Sequence, residues 1–473
     1  MYAVFDESLL TSFQEVVQKA VLEIFDGNGM PAFQQSLREG MNRICCTIQQ
    51  RVMEWIDNQL RQDPSLREGW VIVRRDPKTI GSPFGEVRYE RTLFRNKKRK
   101  VHAYLADRLV GYKPHQRLDS LLEADLLEEA VDKSYAKAAR SLENVSGISV
   151  SGQTVLNIVR KLQPEELELE EELEFKKVAR VLYIEADEDH VAHREKGVPA
   201  FEQRLVYVHE GRVKVGKDRY ELINKKYFTF PPGTSAETIW HTIWCYLVAT
   251  YDLEKTEHIF ISGDGVSWIK AGAEYIEGAR YVLDGFHLRR AIFTAAGADE
   301  TKRRALSEAV YNGKWTEMNR LLTALREEAE ADSRKSAILE VQKYLNNQWR
   351  GIRARRKYEH LLVGCSAEGH VSHVLSARLS SRPMGWSYLG ANQMAHLRVH
   401  RENGVNLSRI HIEQSMKRAK ATVSESIPRQ SLALLSKAAG SSFETLGNIP
   451  AVSRGTKGWG PLLRRIANAT FTF

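Results

Sequence analysis

An apolar segment that carries four carboxylates places the strongest restriction on the fold of this chain. Residues 181–191, VLYIEADEDHV, begin as a β-strand that enters a hydrophobic core, yet they contain Glu185, Asp187, Glu188 and Asp189. Alternation along a strand puts Glu185, Asp187 and Asp189 on one face and Glu188 on the other. Because burial of an unpaired carboxylate is costly and adjacent carboxylates repel, we expect cations between these groups. The alternative is an exposed edge strand whose acids are solvated.

The segments after this strand predict a mixed α/β domain. Alternating apolar residues predict two more strands, which end at a turn over 231–233, and then a helix over 235–252. A strand over 258–265, a helix from Ser267 and a strand over 279–286 complete the series. Three antiparallel strands followed by helix, strand, helix and strand is the order of the RNase H-like fold. In that fold, carboxylates from the first strand, the fourth strand and a later helix hold two divalent metal ions.

Two further acids occupy the positions that such a metal site needs. Asp264 follows the fourth strand in the sequence SGDG, and Glu368 lies in the first turn of a predicted helix that begins near Ala367, with Ser366 as its cap. Hard carboxylate oxygens favour Mg²⁺, with Mn²⁺ as a substitute. We therefore expect two such ions, bound by Asp264, Glu368 and an acid of the first strand. The alternative for Glu368 is an ordinary charge that stabilises the helix dipole.

Two segments before the carboxylate-bearing strand are candidates for DNA contact. Residues 119–163 contain two predicted helices joined by a turn at Gly147, which is typical of a helix-turn-helix. The second helix presents four polar side chains suited to base edges and phosphates: Gln153, Thr154, Asn157 and Arg160. Residues 70–105 predict a β-hairpin whose basic tip includes Arg99 and Lys100, candidates for phosphate contacts. The alternatives are a plain helical hairpin and a solvated turn.

Hydrophobic periodicity, turn residues and charge runs divide the chain into successive segments. The predicted segments are a helical N-terminal module for oligomerisation (1–68), a β-hairpin module (69–118), a helix-turn-helix DNA-binding module (119–163), an acidic linker (164–177), an RNase H-like catalytic domain (178–297 and 361–404), a helical insertion within that domain (298–360) and a basic C-terminal tail (405–473). The expected fold class is therefore multidomain α/β, with a mixed five-stranded sheet and helices in the catalytic domain.

Four motifs, in order along the chain, resemble the ISLre-type family of bacterial insertion-sequence transposases, which is distantly similar to the Mutator-like transposases. They are IEADEDHV, ISGDGVSWI, LDGFHLRR and SAEGHVSHVLSARLSSRPMGWS, and FGEVRYERT, SYAKAARSL and QTVLNIV extend the resemblance over most of the chain. The resemblance implies a DDE transposase with Asp187, Asp264 and Glu368 as its metal-binding triad. Asp187 is preferred to Asp189 because Mutator-like strands run Asp-x-x-aromatic-aliphatic and then a basic residue, which the stretch from Asp187 to Arg194 roughly matches.

Further side chains are expected near the reacting phosphate. Mutator-like relatives carry Cys-x-x-His after the fifth strand, and here Asp284 stands in place of that Cys while His287 matches the His. His287 is expected to contact the scissile phosphate or the flanking base, and Asp284 is either a fourth acid of the site or a helix cap. Basic side chains of the Glu368 helix, His370 and Arg378, would position the DNA backbone. Trp268 would either stack a distorted base or lie in the core.

The implied reaction is Mg²⁺-dependent phosphoryl transfer, which first nicks an element end and then joins the freed 3′-OH to target DNA. The expected partners are double-stranded DNA, as terminal inverted repeats and as target, and further copies of the chain in a homodimer or larger oligomer. Oligomers are expected because two element ends have to be paired. The alternatives are an RNase H-like nuclease or resolvase that does not join DNA, and a DNA-binding regulator with an inactive nuclease fold.

The charge balance agrees with an anionic partner. The formal net charge is +9, and no run of apolar residues is long enough to span a bilayer. The first residues lack the basic region of a signal peptide. The four cysteines match neither a disulfide framework nor a CxxC zinc site. We therefore expect a cytoplasmic bacterial protein that is associated with the nucleoid when it binds DNA.

Overall fold

Two compact units make up the described part of the chain. Of the 473 residues, the computed structural model describes 7–161, 175–217, 219–426, 430 and 432–436. One unit contains the described residues up to 158 and those from 408 onward, and the other contains those between 159 and 407. Most of the predicted acidic linker and the end of the predicted C-terminal tail lie outside the described residues. Within the described ranges, no helix has both the length and the apolar character needed to cross a membrane.

Two helices, α1 (Glu7–Phe25) and α2 (Gly29–Gln62), begin the first unit. Apolar residues recur along α1 at helical spacing, and its buried Leu9 and Val16 pack against α2. Gly40 of α2 permits this close approach, because a Cβ there would lie 2.3 Å from Val16 Cγ1. The N-terminal segment is therefore helical, as its periodicity predicts.

A three-stranded antiparallel sheet follows. Its strands, in spatial order, are β1 (Trp70–Ser82), β2 (Gly85–Asn96) and β3 (His102–Tyr104). Ser82 pairs with Gly85, so the tight turn of the hairpin lies at 83–84. The basic stretch 97–100 joins β2 to β3 instead, and the predicted hairpin tip is thus the second turn of a three-stranded sheet.

Four helices complete this stretch: α3 (Leu105–Leu109), α4 (Ser120–Asp132), α5 (Tyr135–Ser146) and α6 (Gly152–Lys161). The last two are the predicted pair with a short turn. Ser134 Oγ caps α5 by accepting a hydrogen bond from Lys137 N. Gly147 ends α5 at φ 70°, a left-handed conformation that favours glycine. Ser151 Oγ accepts from the N–H of Thr154 and so caps α6.

The second unit is built on a five-stranded mixed sheet. The described strands of this unit are β4 (Val181–Val191), β5 (Phe201–His209), β6 (Arg212–Lys214), β7 (Tyr220–Leu222), β8 (Lys226–Phe230), β9 (His258–Gly263) and β10 (Ala279–Leu283). The sheet order is β10-β9-β4-β5-β8, in which β10, β9 and β4 are parallel and β5 is antiparallel to both neighbours. The predicted mixed α/β class with a five-stranded mixed sheet is confirmed. β6 and β7 form a separate two-stranded ribbon, which takes up parts of the predicted second and third strands.

Helices surround this sheet. They are α7 (Ala236–Thr250), α8 (Ser267–Tyr275), α9 (Gly285–Ala296), α10 (Glu300–Tyr311), α11 (Trp315–Glu328), α12 (Asp332–Asn347), α13 (Trp349–Lys357), α14 (Ala367–Val371), α15 (Ala377–Leu379) and α16 (Tyr388–Glu402). A π-helical turn over Ser372–Ser376 joins α14 to α15 in one continuous helix. The stretch predicted as a helical insertion forms α10 to α13, which share a core with α9.

The two faces of β4 have different environments. Leu182, Ile184 and Ala186 lie in the main core of the sheet, which includes residues of α7 and α8. The alternate residues of β4 face the other way, where Tyr183 packs with Phe260 and with partly buried residues of α13. The alternation that the sequence predicts therefore separates an apolar face from a face that carries carboxylates.

A final long helix, α17 (Leu407–Ser426), belongs to the first unit. Its N-terminal turn packs against α4, since Ser408 N donates to Glu128 Oε1 at 3.1 Å and His411 Nε2 bonds Glu123 Oε2 at 3.2 Å. The predicted basic tail thus begins with a helix that has intramolecular partners. The four cysteines of the chain are all free.

Candidate active site

The register of the parallel strands aligns three aspartates at one edge of the sheet. Glu185 of β4 pairs with Ser262 of β9, so Asp187 and Asp264 lie two residues further along adjacent strands. β10 pairs with β9 through Leu283 and Gly263, and Asp284 N donates to Gly263 O at 3.0 Å. Asp264 and Asp284, which directly follow β9 and β10, therefore lie level with Asp187 in the middle of the neighbouring β4.

Asp187 lies in the field of two other acids. Its pKa is raised to about 6, chiefly by burial and in addition by the charges of Asp264 and Glu368, whereas a hydrogen bond from Glu188 N and the charge of His287 act to lower it. These interactions require Asp264, Glu368 and His287 to be close to the Asp187 carboxyl group. The structure thus places the other three residues that the sequence proposes for catalysis within electrostatic range of Asp187.

The other acids of β4 have dedicated partners. Glu185 is buried and bonded to Tyr207 and His209. Glu188 lies on the opposite face, where Trp268 Nε1 donates to it at 2.9 Å. Each of these two acids is therefore stabilised by hydrogen-bond donors of its own.

Asp189 is bound by the helix that carries Glu368. Its Oδ1 accepts hydrogen bonds from Ser376 Oγ at 2.8 Å and from Ser380 Oγ at 2.7 Å. Burial raises the pKa of Asp189, and neither Asp264 nor Glu368 contributes to that change. The geometry therefore favours Asp187 over Asp189 as the metal ligand of the first strand.

The loop that carries Asp264 is held by the inserted helices. Tyr344 Oη donates to Asp264 O at 2.6 Å, and Gln348 Nε2 donates to Gly265 O at 2.8 Å. The side chain of Asp264 accepts from Val266 N at 3.0 Å, which closes a local turn. Sequence reasoning missed Tyr344 and Gln348, because nothing in a charged helical segment marks a polar residue that bonds a distant carbonyl.

Gly265→Ala is expected to disrupt this loop. A Cβ at Gly265 would lie 2.4 Å from Gln348 Cδ, and its φ of 98° disfavours a side chain. We expect a loss of about 3 kcal/mol from the free energy of unfolding, measured in urea, from overpacking and backbone strain together. The matched control is Gly278→Ala, at φ 75° with nothing within 4 Å, which should cost about 1 kcal/mol. Equal losses in the two variants would contradict the contact with Gln348.

Glu368 begins a helix whose start is fixed by Glu185. Ser366 is the N-cap residue, as predicted, but its side chain makes no capping hydrogen bond within α14. Instead Ser366 N donates to Glu185 Oε2 at 2.7 Å, and Ser366 Oγ donates to the same oxygen at 3.3 Å. Tyr207 Oη and His209 Nε2 also donate to Glu185. A buried acid two residues before Asp187 thus sets the position of the helix that carries Glu368.

The π-helical turn after Val371 separates Glu368 from the serines that bind Asp189. π-helical turns inside α-helices occur frequently at functional sites. Together with the bonds of Ser366, the bonds of Ser376 and Ser380 attach this helix to β4 at both ends. The pattern of strands and helices in the sequence contains no signal for these two attachments.

Asp284 and His287 form a bonded pair beside the carboxylates. Asp284 caps α9 by accepting from Phe286 N and His287 N, and its Oδ2 bonds His287 Nδ1 at 3.0 Å. This bond, with the charges of Asp284, Asp264 and Asp187, raises the pKa of His287 although burial opposes the change. The pKa of Asp284 is lowered by His287 despite its own burial. Asp284 is therefore a helix cap that also stabilises a positive charge at the site.

Most of the residues that are predicted to contact DNA from the β-hairpin and helix-turn-helix modules lie on the surface. Arg99 and Lys100 are exposed in the turn between β2 and β3. Gln153, Asn157 and Arg160 are exposed along α6, and Gln153 Nε2 donates to Asn157 Oδ1 at 2.9 Å. Thr154 is half-buried and lies at the capped start of the same helix.

Three residues predicted to contact DNA near Asp187, Asp264 and Glu368 lie in positions that do not suit this role. Trp268 is 7% exposed and belongs to the core of the sheet, which is the alternative that the sequence left open. Arg378 is 4% exposed, with its guanidinium 4.9 Å from the ring centre of Trp386. Burial lowers the pKa of His370 to about 4, and a hydrogen bond of 2.6 Å joins its Nδ1 to Tyr227 Oη. His370 is therefore neutral at pH 7 and lacks the charge needed to bind phosphate.

The donor set fits Mg²⁺ by its chemistry. Asp187, Asp264 and Glu368 offer hard carboxylate oxygens, and their mutual repulsion is what a bound cation relieves. Among the described residues, however, no three His, Cys, Asp or Glu side chains are arranged closely enough to hold one ion. The two findings agree because repulsion acts over several ångströms, whereas ligation requires donor distances of about 2 Å. Glu368, which is exposed, has the freedom to approach.

Asp187→Asn is expected to stabilise the protein when metal is absent. Because folding raises the pKa of Asp187 from its ordinary 3.8 to about 6, the folded state favours the protonated acid, and stability falls as the pH rises through this interval. At pH 7.5 in EDTA we expect the variant to gain about 2 kcal/mol in the free energy of unfolding, and much less at pH 4. Asp252→Asn is the control, because the pKa of that half-buried acid is lowered by Lys255. A variant no more stable than the wild type at pH 7.5 would contradict the repulsion.

Several known proteins are similar to this chain over most of its length. Residues 27–416 match the model of the Uncharacterised protein family (UPF0236). A UPF0236 protein of Caldanaerobacter subterraneus subsp. tengcongensis, whose name covers eleven gene loci, is 34% identical over 84% of this chain and 86% of its own length. A second from that organism, named for four loci, is 36% identical over 76% of this chain and 75% of its own length. A UPF0236 protein of Streptococcus gallolyticus is 29% identical over 75% of this chain and 78% of its own length. The chain belongs to the UPF0236 family.

Proposed function

We propose that this protein is a DDE transposase of a bacterial insertion sequence, of the ISLre type, with an RNase H-like catalytic domain. The observation that carries the proposal is the approach of Asp187, Asp264 and Glu368, which are separated by 77 and 104 positions along the chain but interact at the edge of one sheet. Nothing in the packing of a stable core requires three acids to meet. A site for divalent cations does require it.

The sheet topology supports the same proposal. Three antiparallel strands, β4, β5 and β8, are followed by β9 and β10, which lie parallel to β4 on its other side. This is the strand order that the sequence predicts for an RNase H-like domain. The acids also occupy the corresponding elements: Asp187 on the first strand, Asp264 after the fourth, and Glu368 on a later helix.

The chain's own residues would hold the reacting groups in place. Asp187, Asp264 and Glu368 would bind two Mg²⁺ ions, which when bound supply the positive charge that phosphoryl transfer needs at the attacking and leaving oxygens. Tyr344 and Gln348 fix the backbone beside Asp264. A reacting group that is held in position loses less entropy on the way to the transition state.

His287 is suited to bind the phosphate itself. Its Nδ1 is bonded to Asp284, which raises the pKa of the ring and so favours its protonated form, and Nε2 is left to donate to a ligand. A phosphate oxygen is an acceptor of the right charge, and a charge-assisted hydrogen bond to it is stronger than a neutral one. His287 would thus orient the scissile phosphate beside the three acids.

The number of related loci in one genome also favours a mobile element. Two relatives from Caldanaerobacter subterraneus subsp. tengcongensis carry names that cover eleven and four loci. Repeated copies of one gene within a genome are what transposition produces. The net charge of +9 and the exposed basic turn at 97–100 agree with DNA as the partner.

Strand cleavage and joining by the full-length protein test the proposal. The substrate is a labelled duplex carrying one end of the DNA element in which the gene lies, incubated with and without MgCl₂. We expect Mg²⁺-dependent nicking, and transfer of a pre-cleaved 3′-OH end into a target plasmid. Cleavage without joining would point to a nuclease, and binding without either reaction in Mg²⁺ or Mn²⁺ would point to a regulator.

A further inference from the structure

A short β-ribbon lies beside the sheet with neither of its faces covered. It consists of β6 and β7, which pair with each other and not with the five-stranded sheet. All described residues from 212 to 221 are exposed. Two-stranded ribbons are marginally stable in isolation, so an uncovered one gains order when a partner binds it.

One face of the ribbon combines cations with an aromatic ring. The register pairs Lys214 with Tyr220 and Arg212 with Leu222, which places these side chains on a common face. The guanidinium of Arg212 lies 4.7 Å from the centre of the Tyr220 ring. Ion pairs with carboxylates are absent for Arg212 and Lys214 within the described part of the chain.

The other face differs in charge. Val213 pairs with Glu221, and Arg219 Nη2 forms an ion pair with Glu221 Oε1 at 3.3 Å. Over the whole ribbon, residues 211–225 contain five Lys or Arg against two Asp or Glu. Arg219 and Glu221 thus neutralise each other on this face, whereas Arg212 and Lys214 make the opposite face positive.

The ribbon is rooted next to the segment that precedes the Glu368 helix. Arg212 Nη1 lies 3.5 Å from the position that a Cβ on Gly364 would take, four residues before Glu368. His209, at the end of β5 where the ribbon begins, bonds Glu185, which in turn holds the start of the Glu368 helix. DNA bound at the three acids would therefore pass close to this ribbon.

We infer that the ribbon is a DNA-binding element, in which Arg212 and Lys214 contact backbone phosphates of the duplex next to the cleavage site. This inference rests on the proposed function, since it assumes DNA at the three acids. A two-stranded ribbon fits the major groove of B-DNA, and interleaved basic and aromatic side chains are typical of nucleic-acid surfaces. The uncovered face complements the phosphate backbone in charge and offers Tyr220 for contact with a sugar or a base.

The salt dependence of DNA binding tests the inference. Affinity of the full-length protein for a 5′-labelled duplex of the element end is measured between low and moderate KCl. For Arg212→Ala/Lys214→Ala we expect the slope of log K against log salt to fall by about 2, since each phosphate contact contributes about 0.9. The charge-matched control is Lys335→Ala/Lys343→Ala on α12, which removes two exposed lysines with local partners and should leave the slope unchanged.

A second measurement needs no variant. In the wild-type protein, bound DNA should protect Lys214 from acetylation, whereas Lys335 and Lys343 should stay reactive. An unchanged slope in the double variant, or no protection of Lys214, while the wild type still binds and cleaves DNA, would overturn the role of the ribbon alone. A wild-type protein that neither binds nor cleaves the duplex would overturn the proposed function as well.

Discussion

Asp264→Asn is expected to lower the rate of Mg²⁺-dependent strand cleavage by on the order of a thousand-fold, because a metal ligand of this kind contributes several kcal/mol to the transition state. The substitution removes one negative charge but retains an oxygen that can accept from Val266 N, so the local turn is kept. Binding of the element end should therefore change little. The measurement is single-turnover cleavage of a labelled duplex, with binding measured in parallel.

The matched control for this variant is Asp299→Asn. Asp299 is also an acceptor for a nearby backbone N–H, that of Lys302 at the start of α10, but it is exposed. Its variant should cleave DNA at the wild-type rate. If Asp264→Asn cleaves equally well, the three acids are not a catalytic centre; if it loses both binding and folding, Asp264 is a structural residue.

Glu185→Ala is expected to reduce the free energy of unfolding by about 3–5 kcal/mol, the usual cost of removing one partner from a buried charged pair. The side chain is buried and accepts from Tyr207, His209 and the Ser366 N–H. Its loss leaves those donors without an acceptor and also releases the start of the Glu368 helix. Urea unfolding measures the first effect, and Mg²⁺-dependent cleavage measures the second.

Two further variants separate stability from positioning. Glu202→Ala removes an exposed acid from the neighbouring strand, and its ion pair with Arg204 should be worth less than about 1 kcal/mol. Glu185→Gln retains an oxygen for Ser366 N and should fold, yet cleave more slowly with unchanged DNA affinity. A Glu185→Gln protein with full activity would show that the charge of Glu185 does not position Glu368.

The sequence predicts the parts of the site that follow from periodicity and order. Alternation along residues 181–191 separates a core face from an acidic face, and the structure has Ile184 and Glu185 on those two sides. The position of Asp264 after its strand and of Glu368 in the first turn of a helix follow from turn and capping patterns. The five-stranded mixed sheet follows from the order of the strands.

Contacts between distant segments could not be predicted in this way. Tyr344 and Gln348 are ordinary residues of a polar helix until the fold brings them to Asp264 and Gly265. Likewise, His370 is a candidate phosphate ligand in the sequence, and only the folded structure shows that it is partly buried beside Tyr227 with a lowered pKa. The burial of a side chain and its hydrogen-bond partners depend on the tertiary structure, and the pattern of residues within a single strand or helix does not determine them.

In the second half of the chain, a segment that looks like a separate insertion in the sequence is bonded to the rest of the sheet domain in the folded structure. Helices α10 to α13 interrupt the order of strands and helices between β10 and Glu368, which suggests a removable domain. Yet α12 and the residue after it supply Tyr344 and Gln348, the donors for the carbonyls of Asp264 and Gly265. A shortened protein made by joining α9 directly to α14 would lack both donors, so the backbone beside Asp264 would lose the hydrogen bonds that hold it in place.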